Sequence, residues 1–591
     1  MEGAATQQSA QADVTLTFAH VKRYLPWILL AVILVFGWYL RAYHLDYPVV
    51  GYHNWKETHY LTEARNFARE GFFAHGFFVP AWDLPFLNED LSGAHADTFP
   101  TISVLGALGF RLLGYDLGVA RGIGVLLNLT SIIFLYLIVK LLFKREDLAL
   151  LTALLAAMNP LLIFFSRNFQ LDSPALFLMM AGTWFFLRWI EQDKTHYLLL
   201  ASALVTFGIM TKYSFAIMAV PFFAILPYQR FIEWKSRLKS FVPSAVIALA
   251  LPLWFVYMEH FKNKIKALYN ITGGGAVISY TDIINLNEIF TAAFWHTMRS
   301  YVADNFTILG FWFAVLGLAL LVLLRKKHPF AARYFLAYAG FGILFTIILA
   351  HKLGGHSYHQ FPYAALVVLL IAYAFLVIGA TAGRIVRFPA AKWIVVALLV
   401  FSLWAPTRAA LDRQFGTQFI GLDAAGDLVK QESAPWERIM HSSHQSYGVL
   451  WHADRKGYKI PGTVADFMKA EAANATWLFV YQWKFDIFQN EELMAYIEPN
   501  YGLRQIGFLM QGTQFTPYYF LLEKGGTFNQ SELNNLLSGR SLSTRNYEMP
   551  GGQLTMNIVT LPKQSQQDLT LQAANLNVLS DSLTNTSESG P

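Results

Sequence analysis

Five short stretches of the sequence gather ionisable side chains next to apolar runs. The first reads Gly51-Tyr52-His53-Asn54-Trp55-Lys56-Glu57-Thr58-His59-Tyr60 and continues through Glu63 to Arg65. On a helix, spacings of three and four put His53, Glu57, Tyr60 and Ala64 on one face. A carboxylate so placed is suited to take a proton from an acceptor hydroxyl or amine. An interfacial amphipathic helix whose Glu57 faces water produces the same pattern. The second stretch, Ala120-Arg121, supplies a cation at the start of an apolar run. The third, Arg167-Asn168-Phe169-Gln170-Leu171-Asp172-Ser173-Pro174, has a proline suited to a first helical turn and an aspartate near the N-cap position. Capping and substrate positioning therefore compete as explanations of Asp172. Lys212 lies between two short apolar runs, in Thr211-Lys212-Tyr213. The last stretch, His351-Lys352-Leu353-Gly354-Gly355-His356-Ser357-Tyr358-His359, packs one cation, three imidazoles and a tyrosine into a turn that can donate to a phosphate. A divalent metal on His351, His356 and His359 is conceivable, but the spacing is not diagnostic, and an ordinary polar turn is the alternative.

The composition says what must hold these groups. Of 591 residues, 55% are apolar and 14% charged, against ~25% charged in an ordinary soluble domain. Mean hydropathy is +0.37. Aromatics reach 16%, as suits long contact with the membrane–water interface. With no cysteine, disulfides, thiolate nucleophiles and Cys-based metal sites are excluded. There is no Walker A loop, nucleophile elbow or HExxH motif. The charge of +6 falls mainly in short loops rather than in long basic arms, so nucleic acid is not an expected partner.

Apolar runs suited to a core of ~30 Å occur near 24–41, 121–139, 148–165, 174–190, 197–210, 214–228, 241–257, 305–324, 331–350, 361–380 and 391–407. The run 99–114 is read as a half-buried juxtamembrane helix. With it outside the membrane, Lys and Arg collect in alternate loops, whereas a crossing there would reverse the bias. The expectation is an α-helical polytopic membrane protein of about eleven spans, with juxtamembrane helices in the first external loop. Residues 1–23 are expected in the cytoplasm and 24–408 form the transmembrane domain, with large external loops at 42–120 and 258–304. Residues 409–562 mix charged, aromatic and β-branched types and predict an external α/β domain, with strands at 477–481 and 518–522 and helices at 421–432 and 462–473. Residues 563–591 read as a loose tail. In this topology the five ionisable stretches share the external face, where a cavity would be lined by both signs of charge. Asn270, Asn305, Asn474, Asn529 and Asn585 open sequons on or near that side.

The order of these motifs resembles the GT-C superfamily of polytopic glycosyltransferases, in particular the branch of protein O-mannosyltransferases and the lipid A aminoarabinose transferase. The resemblance covers residues 24–410: Glu57-x-x-Tyr60-x-x-x-Ala64-Arg65, Ala120-Arg121, Ser166-Arg167 with Asp172-x-Pro174, Thr211-Lys212, and His356-x-Tyr358-His359-x-x-Pro362. Ala453-Asp454-Arg455-Lys456-Gly457 is similar to a stretch of the external domain in some bacterial relatives. The resemblance implies a polyprenyl-phosphate-linked sugar as donor, inverting transfer, and an acceptor that is a lipid, glycan or protein, with membrane lipids as surroundings. It places Glu57 at the first-loop catalytic carboxylate and Arg121, Asp172 and Lys212 at recurring polar positions. The family often has Asp-Glu at the first site where this chain has Lys56-Glu57, and a second alignment through His53-Asn54-Trp55 puts His59 at the acidic position. The base is therefore Glu57 or His59. His53, Tyr60, Arg65, Lys352, His356, Tyr358 and His359 complete the expected binding set. A phosphate ester leaves without an obligatory general acid, so cations are needed to stabilise it. The expected setting is a bacterial inner membrane with the site and C-terminus outside. A secondary transporter or lipid-linked-sugar flippase is the rival reading, although no repeated halves are present. An oligosaccharyltransferase fits less well, because the second loop has no metal-suited pattern.

Overall fold

The computed structural model describes residues 23–74, 77, 98–269, 286–512, 514–529, 533 and 540–564. The sequons at Asn270 and Asn585, part of the 258–304 loop and most of the expected tail lie outside the described residues. The chain divides into two compact units. The first is Met1–Tyr47, Phe67–Arg69 and Ala96–Gln414, and the second is Pro48–Asn66, Glu70–His95 and Phe415–Pro591.

The first unit is a helical membrane domain. Among the described residues seven helices are long and apolar enough to cross, from Arg23–Arg41 to Ala391–Gly416, and two bent pairs raise the number to nine. Each of the eleven expected runs falls on an apolar helix or a bent pair, but not every one is a whole span. Residues 148–165 form Glu146–Met158 and Pro160–Arg167, bent by 54°. Asn159 makes that break: its side chain accepts from Leu162 N, and Pro160 occupies the first position of the second helix. The run 305–324 belongs to Ala292–Asn305 and Ile308–Leu323, bent by 94°. Thr195–Thr211, at 17 residues, reaches only about 25 Å. Thr101–Leu113 has 13 residues, too few to cross alone. Ser357–Val386 is the most enclosed span, with 72% of its apolar window buried against 11% for Arg23–Arg41. At Gly317 a β-carbon would lie 2.0 Å from the Leu370 carbonyl oxygen, so glycine lets the Ile308–Leu323 backbone reach this central helix. Asn305 is 0% exposed, so its sequon is enclosed in the fold.

The second unit is built on a seven-stranded sheet: β1 (Arg438–His441), β2 (Gly457–Lys459), β3 (Ala475–Tyr481), β4 (Tyr501–Gln511), β5 (Gln514–Lys524), β6 (Ser543–Met549) and β7 (Gly552–Thr560). The order is β2-β1-β3-β5-β4-β7-β6. β1 pairs in parallel with β2 and β3, through crossovers that carry the helices Gly448–Ala453 and Val464–Ala472. The remaining pairings are antiparallel. Residues 477–481 and 518–522 lie in β3 and β5, as expected, with Leu478 opposite Leu522 and Val480 opposite Phe520 in the core. The expected helices appear as Leu422–Glu432 and Val464–Ala472. His441 ends β1 wholly buried. Its Nδ1 accepts from Ser443 N (3.2 Å) and lies 3.1 Å from Ser446 Oγ. Burial, aided by the charge of Lys459, pushes the His441 imidazole down to about 3.

The second unit also contains the start of the first loop. Phe419 N donates to Val50 O (2.7 Å), and Val49 N donates to His452 Nε2 (3.0 Å). Asn54 Nδ2 donates to Gln445 O (2.7 Å), while its Oδ1 accepts from Gly448 N (3.2 Å). A β-carbon on Gly448 would lie 2.2 Å from Val49 O, so only glycine admits the loop there. A stretch expected to serve as a membrane-domain loop is thus folded with the C-terminal domain.

Candidate active site

The helix Asn54–Glu70 carries the first candidate stretch, and its residues through Asn66 belong to the second unit. Glu57 is 4% exposed, which sets aside the reading in which it faces water. His53, His59, Tyr60 and Arg65 are buried as well. His59 Nε2 lies 3.1 Å from Glu63 Oε1, one helical turn away. The His59–Glu63 pairing follows from their four-residue spacing on the helix. Arg65 Nη1 is 3.0 Å from Asp454 Oδ1 and donates to Trp451 O (3.2 Å), with its guanidinium 4.6 Å from the Trp451 ring centroid. Asp454 belongs to the Ala453–Gly457 motif, where it takes a positive φ of 52°. The neighbouring Arg455 donates to Ser433 O (2.7 Å) and Ser433 Oγ (3.0 Å). A β-carbon on Gly457 would collide with Ile439 O at 2.5 Å. The motif is thus a structural corner that also receives Arg65.

In the first unit three stretches meet. Lys212 Nζ lies 2.5 Å from Asp172 Oδ1, and the side chains are 14% and 2% exposed. The same ammonium stands 4.5 Å from the Tyr358 ring centroid. Asp172 is the first residue of the helix Asp172–Gln192, whose N-cap is Leu171, so its carboxylate serves the ion pair rather than a side-chain cap. Lys212 closes the C-terminus of Thr195–Thr211 in an extended conformation. Each charge therefore sits at the helix end whose dipole favours it. Tyr358 and His359 lie on the buried turn Ser357–Tyr363. Tyr358 stacks on His356 at 5.1 Å and meets Phe165 edge-on at 6.0 Å. Lys352 is half-buried on Ala350–Gly355, and His351 lies 3.7 Å from Glu288.

Arg121, expected in the binding set, is 2% exposed. Its Nη1 donates to the carbonyls of His44 (3.2 Å), Leu45 (3.1 Å) and Tyr47 (2.5 Å), and Arg167 Nη1 donates to His44 O (2.8 Å). These two arginines hold the segment that follows the first span. Among the described residues no group of three or more His, Asp or Glu side chains is arranged to hold a metal ion, and His351, His356 and His359 do not form one.

Residues 95–260 match the family model described as dolichyl-phosphate-mannose-protein mannosyltransferase. A stretch of 226 residues is 25% identical to a putative mannosyltransferase, YkcB, of Bacillus subtilis, and covers 38% of this chain and 29% of that protein. ArnT from Cupriavidus metallidurans, solved with undecaprenyl phosphate, has a similar structure at a TM-score of 0.55 and 12% identity, over 84% of this chain and 97% of that one. An oligosaccharyltransferase from Archaeoglobus fulgidus is similar at a TM-score of 0.53 and 14% identity, over 88% of this chain and 79% of that one. The fold is thus similar to those of ArnT and this oligosaccharyltransferase, in keeping with the resemblance read from the motifs.

Proposed function

We propose, from a GT-C fold as premise, that this chain is a membrane glycosyltransferase moving a sugar from a polyprenyl-phosphate-linked donor to an acceptor on the external side of a bacterial inner membrane. The observation that carries the reading is the buried Lys212–Asp172 pair against Tyr358, assembled from three helix ends in a fold shared with a transferase solved with a lipid phosphate. Mannose is the first sugar to test, since the family model and the YkcB relative carry that name.

In this reading Lys212 binds the phosphate and stabilises its negative charge as the sugar leaves, with Lys352 and His356 as further donors. Asp172 aims the ammonium. The bond from the anomeric carbon to the phosphate oxygen breaks with its electron pair going to phosphate. The acceptor heteroatom bonds the opposite face of that carbon, which inverts it. The acceptor proton goes to Glu57, or to His59 by the second alignment. A separate base is needed because a neutral hydroxyl is a weak nucleophile. Arg121 and Arg167 orient the residues after the first span.

The test uses the full-length protein in proteoliposomes containing polyprenyl-phosphate mannose and a bacterial membrane extract as acceptor source. Release of polyprenyl phosphate with a mannosylated product is expected from the wild type and lost in Lys212→Met. Movement of the intact lipid between leaflets with no release would establish a flippase instead.

A further inference from the structure

Two broken helices of the membrane domain meet through asparagines. Arg41, 1% exposed, donates to the carbonyls of Ala156 (3.3 Å) and Ala157 (2.9 Å) and to Asn128 Oδ1 (3.2 Å). It thereby adds a donor to the last carbonyls of the helix Glu146–Met158, of which Ala156 O also accepts from Asn159 N (3.4 Å). Asn159 Nδ2 crosses to Asn305 O at 3.1 Å, the last residue before the second break. Asn305 Nδ2 then donates to Ser357 O (2.8 Å) and Gln360 Oε1 (3.0 Å). Those two acceptors flank Tyr358 and His359, and the Tyr358 ring lies under Lys212. Every partner in this chain of bonds is distant in sequence, and Asn305 is 0% exposed. A buried amide with two good acceptors fixes one arrangement, because swapping it end for end would leave carbonyl facing carbonyl.

We propose that Asn305 is a positioning residue: through its bonds to Ser357 and Gln360 it sets the Tyr358 ring, and so the depth and aim of the Lys212 ammonium. The part of this that concerns catalysis rests on the transferase reading above; the part that concerns Lys212 does not. Neither Asn159 nor Asn305 was singled out for chemistry in the sequence, where Asn305 reads only as a sequon.

Two measurements separate these parts. The first is the rate at which an amine-acylating reagent modifies Lys212 in the folded, detergent-solubilised protein, read by peptide mass spectrometry. Loss of two buried hydrogen bonds in Asn305→Ala is expected to raise that rate about fivefold. Gln360→Leu, which keeps the Ser357 bond, should raise it less. If Asn305→Ala fails to fold, Gln360→Leu carries the test alone. An unchanged Lys212 rate in a folded variant overturns the proposal, whether or not the protein transfers sugar. The second measurement is steady-state transfer from polyprenyl-phosphate mannose. Asn305→Ala should raise KM for the donor or lower kcat, and the same change in a Tyr358→Leu background should add nothing, because the two act through one ring. Full additivity would overturn the route through Tyr358. A wild type that transfers nothing removes the transferase reading and leaves the labelling result to decide the positioning.

Discussion

Two cation–carboxylate pairs at the candidate residues, Arg65–Asp454 in the second unit and Lys212–Asp172 in the first, each also touch an aromatic ring, and they are built differently. Arg65 presents a planar fork: one nitrogen serves both Asp454 and the Trp451 carbonyl, and the whole group lies near the indole. Lys212 presents a compact ammonium to Asp172 and the face of Tyr358. A guanidinium held by side chain, backbone and ring is costly to redirect, which suits a fastening between distant segments. An ammonium on a flexible stem can exchange or share its partner with an incoming anion. The difference teaches that a charged residue at a candidate site is classified by what else holds it. Arg65, expected among the substrate contacts, is also bonded to Asp454 and the Trp451 carbonyl, and Arg121, expected there too, also donates to three backbone carbonyls.

The comparison predicts a ranking of effects. Glu57→Gln should cut sugar transfer by about 100- to 10,000-fold if Glu57 is the base, with His59→Ala milder; the reverse order in a release assay would move the role to His59. Lys212→Met should cost about 100- to 1,000-fold in kcat, while proteolytic resistance of the second unit stays at the wild-type level. Arg65→Ala should do the opposite, weakening the second unit by about 1–3 kcal/mol, measured by limited proteolysis, with Arg65→Lys recovering part of it. Equal profiles for the Lys212 and Arg65 variants would break the distinction.

A smaller effect follows from His441. Its folded-state value of about 3 lies below the ordinary 6.5, so the unfolded chain takes up a proton first as pH falls. The stability this group contributes is complete above about pH 6.5 and declines toward pH 3, by at most about 1.4 kcal/mol per pH unit. Protease susceptibility of the second unit should rise over that range, and His441→Gln should flatten the slope. The smallest expected effect is at Thr463, whose hydroxyl accepts from Asp466 N to cap Val464–Ala472; Thr463→Ala should cost about 1 kcal/mol in the same assay.

Local physics was readable in the sequence. Apolar runs marked the helices, and β3 was legible because Trp477–Tyr481 is buried on both faces of the sheet. The break at Asn159-Pro160 also had its local signature, a capping side chain before a proline, but the apolar run across it hid the bend. What was not readable was pairing over distance. Arg65 with Asp454, Asn54 with Gln445 and Asn159 with Asn305 leave no periodic trace, since each is fixed by the assembled backbone. The Lys212–Asp172 pair shows the limit well. Both residues were chosen for charge and placement beside apolar runs, yet only the fold joins them and brings Tyr358 beneath the ammonium.

The bond between Asn54 and Gln445 has a consequence for biogenesis, because 391 residues separate its ends. At a synthesis rate of about 5–20 residues per second, the early segment waits roughly 20–80 s for the surface it docks on to leave the ribosome. During that interval the Val50 carbonyl lacks its Phe419 donor and the Val49 amide lacks the His452 imidazole, so the segment's native bonds form only after the C-terminal part has been made.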